Sequence, residues 1–361
     1  AGGGARFVGG TVSVVGGAAA SNAAARGGAL SCAGSAVVDL NGTTFAENAA
    51  SLGGAIDVGN ADEGACTLSG VGVNCSHNHA DPPTRIMSHG GGCAAVGERS
   101  TFTLTGSILR SNKADRGGAV AALGTVAFDG CAVEENAAAG AGGGLLFAAA
   151  AASDVVRLTD TAVAGNSADS GAGVCVLDGR LVLEGATRFE ANSARNSGGA
   201  LALSPPAATT SAVLGDGWWA PLNPAYVAAG SLKVDATVRF ERNGASRGGA
   251  VFLDAAAVDP DAVAALSAAC GINNTASWYG PCTATAPASL RWEADLADLA
   301  GVNVSAAVAG SPLALPSGHA LPGIARLYDA AGLAVSMPSV RLTVSLAAAT
   351  SAAALDGSKV L

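Results

Sequence analysis

The chain has 361 residues, 19 Lys+Arg against 28 Asp+Glu, a formal net charge of −9 and a sequence pI near 4.8. No basic stripe is present, which argues against nucleic acid and anionic membrane surfaces as partners. Half of the residues are hydrophobic but only 4% are aromatic, and 51 are Gly, a composition that suits short strands and tight turns around a narrow apolar core.

An asparagine followed by a glycine-rich tripeptide recurs along the chain, at Asn22, Asn48, Asn78, Asn112, Asn136, Asn166, Asn192 and Asn243. All but the last spacing fall between 24 and 34 residues, a period that fits one solenoid turn per copy. In the second copy Val37–Leu40 alternates as a strand and Asn41-Gly42-Thr43 is a turn. Phe45-Ala46-Glu47-Asn48 follows, then Gly53-Gly54-Ala55-Ile56 opens another short strand. Helix caps and helical periodicity are absent, so the expected fold is all-β: a right-handed parallel β-helix of about eight rungs. Phe45, Leu109, Val133, Val163, Phe189 and Phe240 occupy one slot and are expected to stack in the core, beside a ladder of the eight asparagines. The repeats are assigned to residues 1–253.

The third copy carries three of the four histidines, His77, His79 and His89. His-x-His could hold a metal on a strand face, but no carboxylate accompanies it, and a polar segment is the preferred reading. No cofactor or metal is expected. An insertion over 79–90 includes Asp81-Pro82-Pro83, and a second over 204–231 carries Trp218, Trp219 and Tyr226. Residues 254–289 are read as a third, disulfide-bearing insertion with a short helix, because Asp259-Pro260 supplies an N-cap and an N1 proline. Trp278 and Tyr279 lie in it. These aromatics are either interface anchors or padding at the end of the solenoid. From 290 to 361 the repeat is gone; Ala325–Tyr328 and Val340–Leu346 read as strands of a β-rich cap or a following module.

The eight cysteines suggest an oxidising compartment. Cys270 with Cys282 is the first expected bridge and Cys66 with Cys75 or Cys93 the second, while buried free thiols are the competing reading. Asn41, Asn74, Asn273 and Asn303 begin Asn-x-Ser/Thr acceptor triplets. Acidic residues look scattered, with no pair at one position of adjacent rungs, so the chain is not expected to be an enzyme. The opening Ala1-Gly2-Gly3-Gly4, without Met or signal peptide, reads as the start of a piece of a larger protein.

The pairing of Phe-x-x-Asn with Gly-Gly-Ala-Ile/Leu/Val resembles the repeat of the chlamydial polymorphic outer-membrane proteins, found also in surface proteins of algae and protists. The resemblance covers about residues 7–253. It implies a right-handed parallel β-helix with adhesive or surface roles. Ala19, Cys75, Leu109, Val133 and Val163 replace the Phe elsewhere, and no autotransporter barrel accompanies the repeats. The alanine richness suits a GC-rich genome such as a green alga's. The expected function is a structural and adhesive segment of a large extracellular or cell-surface glycoprotein, reached through the secretory pathway. Its partners would be other protein subunits, with glycans as further ligands, and this segment would not insert in a membrane. The alternative is a carbohydrate-binding or carbohydrate-cleaving β-helix.

Overall fold

The computed structural model describes residues 3–59, 64–81, 90–203, 232–253, 260–285, 287–294, 323–329 and 334–335. The chain divides into two units, Ala1–Ala286 and Pro287–Leu361. In the second, Pro287–Ala294 pairs antiparallel with Gly323–Asp329, and Tyr328 bridges back to Ala334. The strand expected over Ala325–Tyr328 is therefore present, but its principal partner lies upstream. Residues 340–346 fall outside the described residues.

The first unit is a parallel β-helix. The second coil shows the plan: Leu30–Ala33, Ala36–Asn41, Thr44–Ala46 and Ala49–Leu52 contribute one strand to each of four sheets. Every such strand pairs in parallel with its equivalent in the next coil, about 4.8 Å away. The sheets hold ten, eight, eight and nine strands. Eight coils thus have all four sides, and a ninth is incomplete. Within the segment read as an insertion over 254–289, the described residues 260–285 consequently continue the coil stack. Val251–Leu253 belongs to the first sheet, the helix Pro260–Ala268 replaces a second-sheet strand, and Thr275–Tyr279 pairs with Gly244–Arg247 in the fourth. Thr283–Thr285 closes the first sheet. The repeat signature fades here because Cys270 fills the Phe slot, bridged to Phe240, and Gly280-Pro281-Cys282 replaces Gly-Gly-aliphatic.

The first insertion is also shorter than its expected 79–90 span. His79–Ala80 is a fourth-sheet strand and Gly90 bridges Arg116. The second, 204–231, lies outside the described residues together with Trp218, Trp219 and Tyr226.

The core follows from strand alternation. In Ala36–Asn41 every other side chain is buried. In the third sheet Phe45, Cys75, Leu109, Val133, Val163, Phe189 and Phe240 are register partners in successive coils, and all are buried. The rings of Phe189 and Phe240 stack at 4.9 Å. No coil could bury such a column alone; each side chain is covered by the one above and the one below. The first sheet departs from simple alternation, since its central column is buried on the outer face too. Leu146, Cys175 and Ala202 pack there with Leu123 and Ala148 in a second apolar cluster.

Candidate interaction surface

Two corners set the path of each coil. At the corner between the third and fourth sheets, each ladder asparagine is preceded by a residue in the left-handed region. Ser21, Glu47, His77, Ser111, Glu135, Gly165, Ala191, Arg242 and Asn273 all have φ between 54° and 63°. Only one of the nine is Gly, although a non-Gly residue there costs roughly 1–2 kcal/mol. The asparagine behind it offsets that cost. In the fourth coil, the Asn112 backbone N–H and Nδ2 both donate to Oδ1 of Asn136, at 2.9 and 3.0 Å. Asn112 Nδ2 also donates to the Cys75 carbonyl of the preceding coil at 2.9 Å. The same three bonds recur at Asn48, Asn78, Asn136, Asn166, Asn192 and Asn243. The ladder starts at Asn22 and reaches a ninth member, Asn274, which the repeat count had missed. Its sequence signal was the pair Asn273-Asn274, with the first asparagine in the left-handed slot.

At the corner leading into the first sheet, glycine is enforced by contact. A Cβ on Gly53, at φ +60°, would lie 2.1 Å from the Ile56 carbonyl oxygen, and one on Gly54 2.2 Å from that of Gly92 in the next coil. The residue before the glycine pair lies over the outer face of the first sheet. Arg26 makes a bidentate pair with the buried Asp57, which also accepts from the Ser31 hydroxyl. Arg247 lies 4.8 Å from the Phe252 ring centroid and 5.9 Å from that of Trp278. Trp278 is therefore half-buried in a regular strand. Tyr279 is buried and donates its hydroxyl to the Thr285 carbonyl at 2.8 Å. Neither residue belongs to a projecting loop, and the aromatic interface expected of them is not formed by an insertion.

Cysteines lie where the coils bring them together. Cys32–Cys66, Cys75–Cys93 and Cys270–Cys282 are disulfides. The expectation that Cys66 would pair with Cys75 or Cys93 is corrected. Proximity in sequence misleads in a solenoid, because residues one coil apart are neighbours; Cys32 and Cys66 are 34 positions apart with Cα atoms 5.9 Å from each other. Cys131 and Cys175 are buried thiols. Burial pushes the Cys175 thiol up to about 12, which leaves it protonated and unreactive.

The exposed sides carry ion pairs rather than a convergent site. The expectation that no carboxylates share a position on adjacent coils is also corrected. Glu190 and Glu241 are register partners in the third sheet. Arg242 forms an ion pair with Glu190 from the neighbouring corner and neutralises one member of that pair. Glu184 is held below the usual carboxylate range by hydrogen bonds from Lys233 and Arg157, and Glu135 by its bond from Arg110. His77 occupies an exposed corner, and His79 Nε2 lies 3.6 Å from Asp81. Among the described residues no three His, Cys, Asp or Glu side chains converge. Asn41, Asn74 and Asn273 are exposed; Asn303 lies outside the described residues.

No family model, curated protein or solved structure matches this chain.

Proposed function

We propose that this chain is a structural, adhesive segment of a large extracellular or cell-surface glycoprotein, acting as a rigid scaffold for protein–protein assembly. The observation that carries the reading is the uninterrupted asparagine ladder from Asn22 to Asn274, which ties successive coils through buried side-chain hydrogen bonds. Such a stack resists bending and repeats the same backbone spacing along each side, as a spacer or docking rail requires. Three disulfides support an oxidising environment. The Phe-x-x-Asn/Gly-Gly-Ala resemblance to polymorphic outer-membrane protein repeats points the same way. The ion-paired side faces suit contact with other protein subunits better than turnover of a substrate, since their carboxylates are held ionised by neighbouring cations.

The test is surface labelling of intact cells that make the protein, followed by chemical crosslinking and mass spectrometry. The reading expects an antibody against the coil stack to label non-permeabilised cells, and lysines or carboxylates of the side faces to crosslink to other proteins. Labelling that appears only after permeabilisation would contradict it.

A further inference from the structure

Asparagines divide sharply in this structure. The interior ladder members are buried and bonded on both sides, whereas Asn41, Asn74 and Asn273 are exposed and their side-chain amides make no hydrogen bond among the described residues. Each of these three begins an Asn-x-Ser/Thr triplet: Asn41-Gly42-Thr43, Asn74-Cys75-Ser76 and Asn273-Asn274-Thr275. Exposed aliphatic side chains are distributed in a matching way. Six large apolar side chains among the described residues are exposed: Val8, Val15, Val37, Val71, Ile108 and Ile272. Four adjoin one of those asparagines.

Val15 and Val71 are the register partners of Asn41 in the coils on either side, 76% and 56% exposed. Val37 shares the outward face of the Asn41 strand. Ile108, 45% exposed, is the register partner of Asn74. Ile272 precedes Asn273 in the chain and is 66% exposed. Register partners are about 4.8 Å apart. Val15, Val71 and Ile108 thus line one ridge where the second sheet turns into the third, with Asn41 between the two valines and Asn74 beside Ile108. Water-exposed ridges of this kind are normally covered. A partner protein would have to accommodate two free asparagine amides within its footprint, and those amides are themselves acceptors for a covalent cover.

We propose that Asn41, Asn74 and Asn273 carry N-linked glycans, and that the glycans at Asn41 and Asn74 lie along the ridge and cover Val15, Val71 and Ile108. The inference rests on the extracellular reading above. In each modification the amide Nδ2 bonds to the anomeric carbon of a lipid-linked oligosaccharide. The bond from that carbon to the lipid pyrophosphate breaks, the pyrophosphate leaves with its electron pair, and one amide proton is lost. The apolar faces of the first sugars then lie on the valines and isoleucine while their hydroxyls face water. This edge of the stack would be closed to protein partners, which would use the other sides.

The chain should be secreted from a eukaryotic cell line and mapped by glycopeptide mass spectrometry. Occupancy at Asn41 and Asn74 is expected, together with loss of the corresponding mass in Asn41→Gln and Asn74→Gln. The folded glycoprotein is then treated with peptide-N-glycosidase, and binding of an environment-sensitive apolar dye is measured before and after. Dye fluorescence should rise several-fold on removal of the sugars, and the rise should vanish in the Val15→Thr, Val71→Thr, Ile108→Thr triple variant. Enzymatic removal from folded protein requires no refolding, so the dye result does not depend on the Gln variants being stable. Secreted, folded protein with Asn41 and Asn74 unmodified would overturn the proposal, as would occupied sites whose removal leaves dye binding unchanged. Occupied sites in a protein that surface labelling finds only inside cells would sink the surface role and leave the glycan assignment standing. Bare sites on a surface-labelled protein would do the reverse.

Discussion

The first and last coils among the described residues are built from the same repeat and packed differently. In the first, Ala5–Val8, Thr11–Val15, Ala18–Ala20 and Ala23–Arg26 are the terminal strands of their sheets. Their inward side chains, including Phe7, Val14 and Ala19, are only partly buried. Asn22 Nδ2 turns back to the Ala20 carbonyl, lacking the previous-coil carbonyl that later members use. In the last coil the helix Pro260–Ala268 adds Leu266 to the core, and Ala269 just after it adds to the same cluster. The Cys270–Cys282 bridge then fastens that coil to itself. The same residue types are therefore worth different amounts in the two coils. In a solenoid, burial belongs to the position between neighbours and not to the residue.

The comparison is tested most severely in mid-stack. Phe189→Asp would bury an unpaired carboxylate against Val163 and Phe240 and cost several kcal/mol; chemical denaturation should show a large fall in midpoint or no folded protein. Phe7→Asp in the first coil, where water reaches the side chain, should cost far less. Equal losses at the two positions would refute the difference between a covered and an uncovered coil.

The ladder gives a second contrast. Asn136→Ala removes the acceptor of two Asn112 donors and the donor to the Leu109 carbonyl, all buried. Leaving these groups unpaired should cost about 4 kcal/mol at ~1–3 kcal/mol per group, partly offset by relaxation. Asn22→Ala in the first coil leaves Asn48 with its bonds to Asn78 and should cost under about 1 kcal/mol. Thermal melts of the two variants decide the point.

The last coil is probed through its disulfide. Cys270→Ser with Cys282→Ser should lower stability by about 3 kcal/mol on the chain-entropy estimate. Because the helix and this bridge finish the last coil, limited proteolysis should then cut first within residues 260–285. First cuts elsewhere would show that the bridge does not hold that end.

The smallest effect is electrostatic. Burial raises the carboxyl pKa of Asp178, whose Oδ1 accepts the Gly179 N–H at 2.7 Å. A carboxyl raised above its unfolded value favours the fold while protonated. That contribution is present below the unfolded pKa, near 4, and is lost as pH rises through the folded pKa. Asp178→Asn keeps an oxygen for Gly179 and removes the ionisation. The variant should match the parent at low pH and exceed it at neutral pH by less than about 1 kcal/mol. A variant less stable than the parent at neutral pH would show that the charge has a partner that outweighs burial.

How far the sequence foretold this molecule depends on the residue. The Phe slot and the first eight ladder asparagines were legible because stacking forces one side-chain type to recur at one period. The ninth coil was not, because Cys270 took the Phe slot and a helix took the place of a strand. The non-glycine left-handed corners were also invisible. Ser, Glu, His, Ala, Arg and Asn share no property at that position, and the conformation is imposed by the asparagine that follows. Disulfide partners were half legible. Cys270–Cys282 is the expected bridge, whereas Cys32–Cys66 spans coils, is overlooked when pairing follows sequence proximity and needs the three-dimensional register. The ridge around Asn41 and Asn74 needed the register as well, since Val15, Val71 and Ile108 come from three different coils.

The central claim is that buried asparagine stacking, with a coil on either side, holds the corners of this scaffold. Amide hydrogen exchange followed by mass spectrometry tests it directly, because each ladder asparagine donates its own backbone N–H to the next member. Peptides covering Asn112, Asn136 and Asn166 should exchange only through opening of the stack and remain protected longest, and the peptide covering Asn22 should exchange much faster. Similar exchange at Asn22 and Asn136, or rapid exchange at all of the corners, would contradict the account.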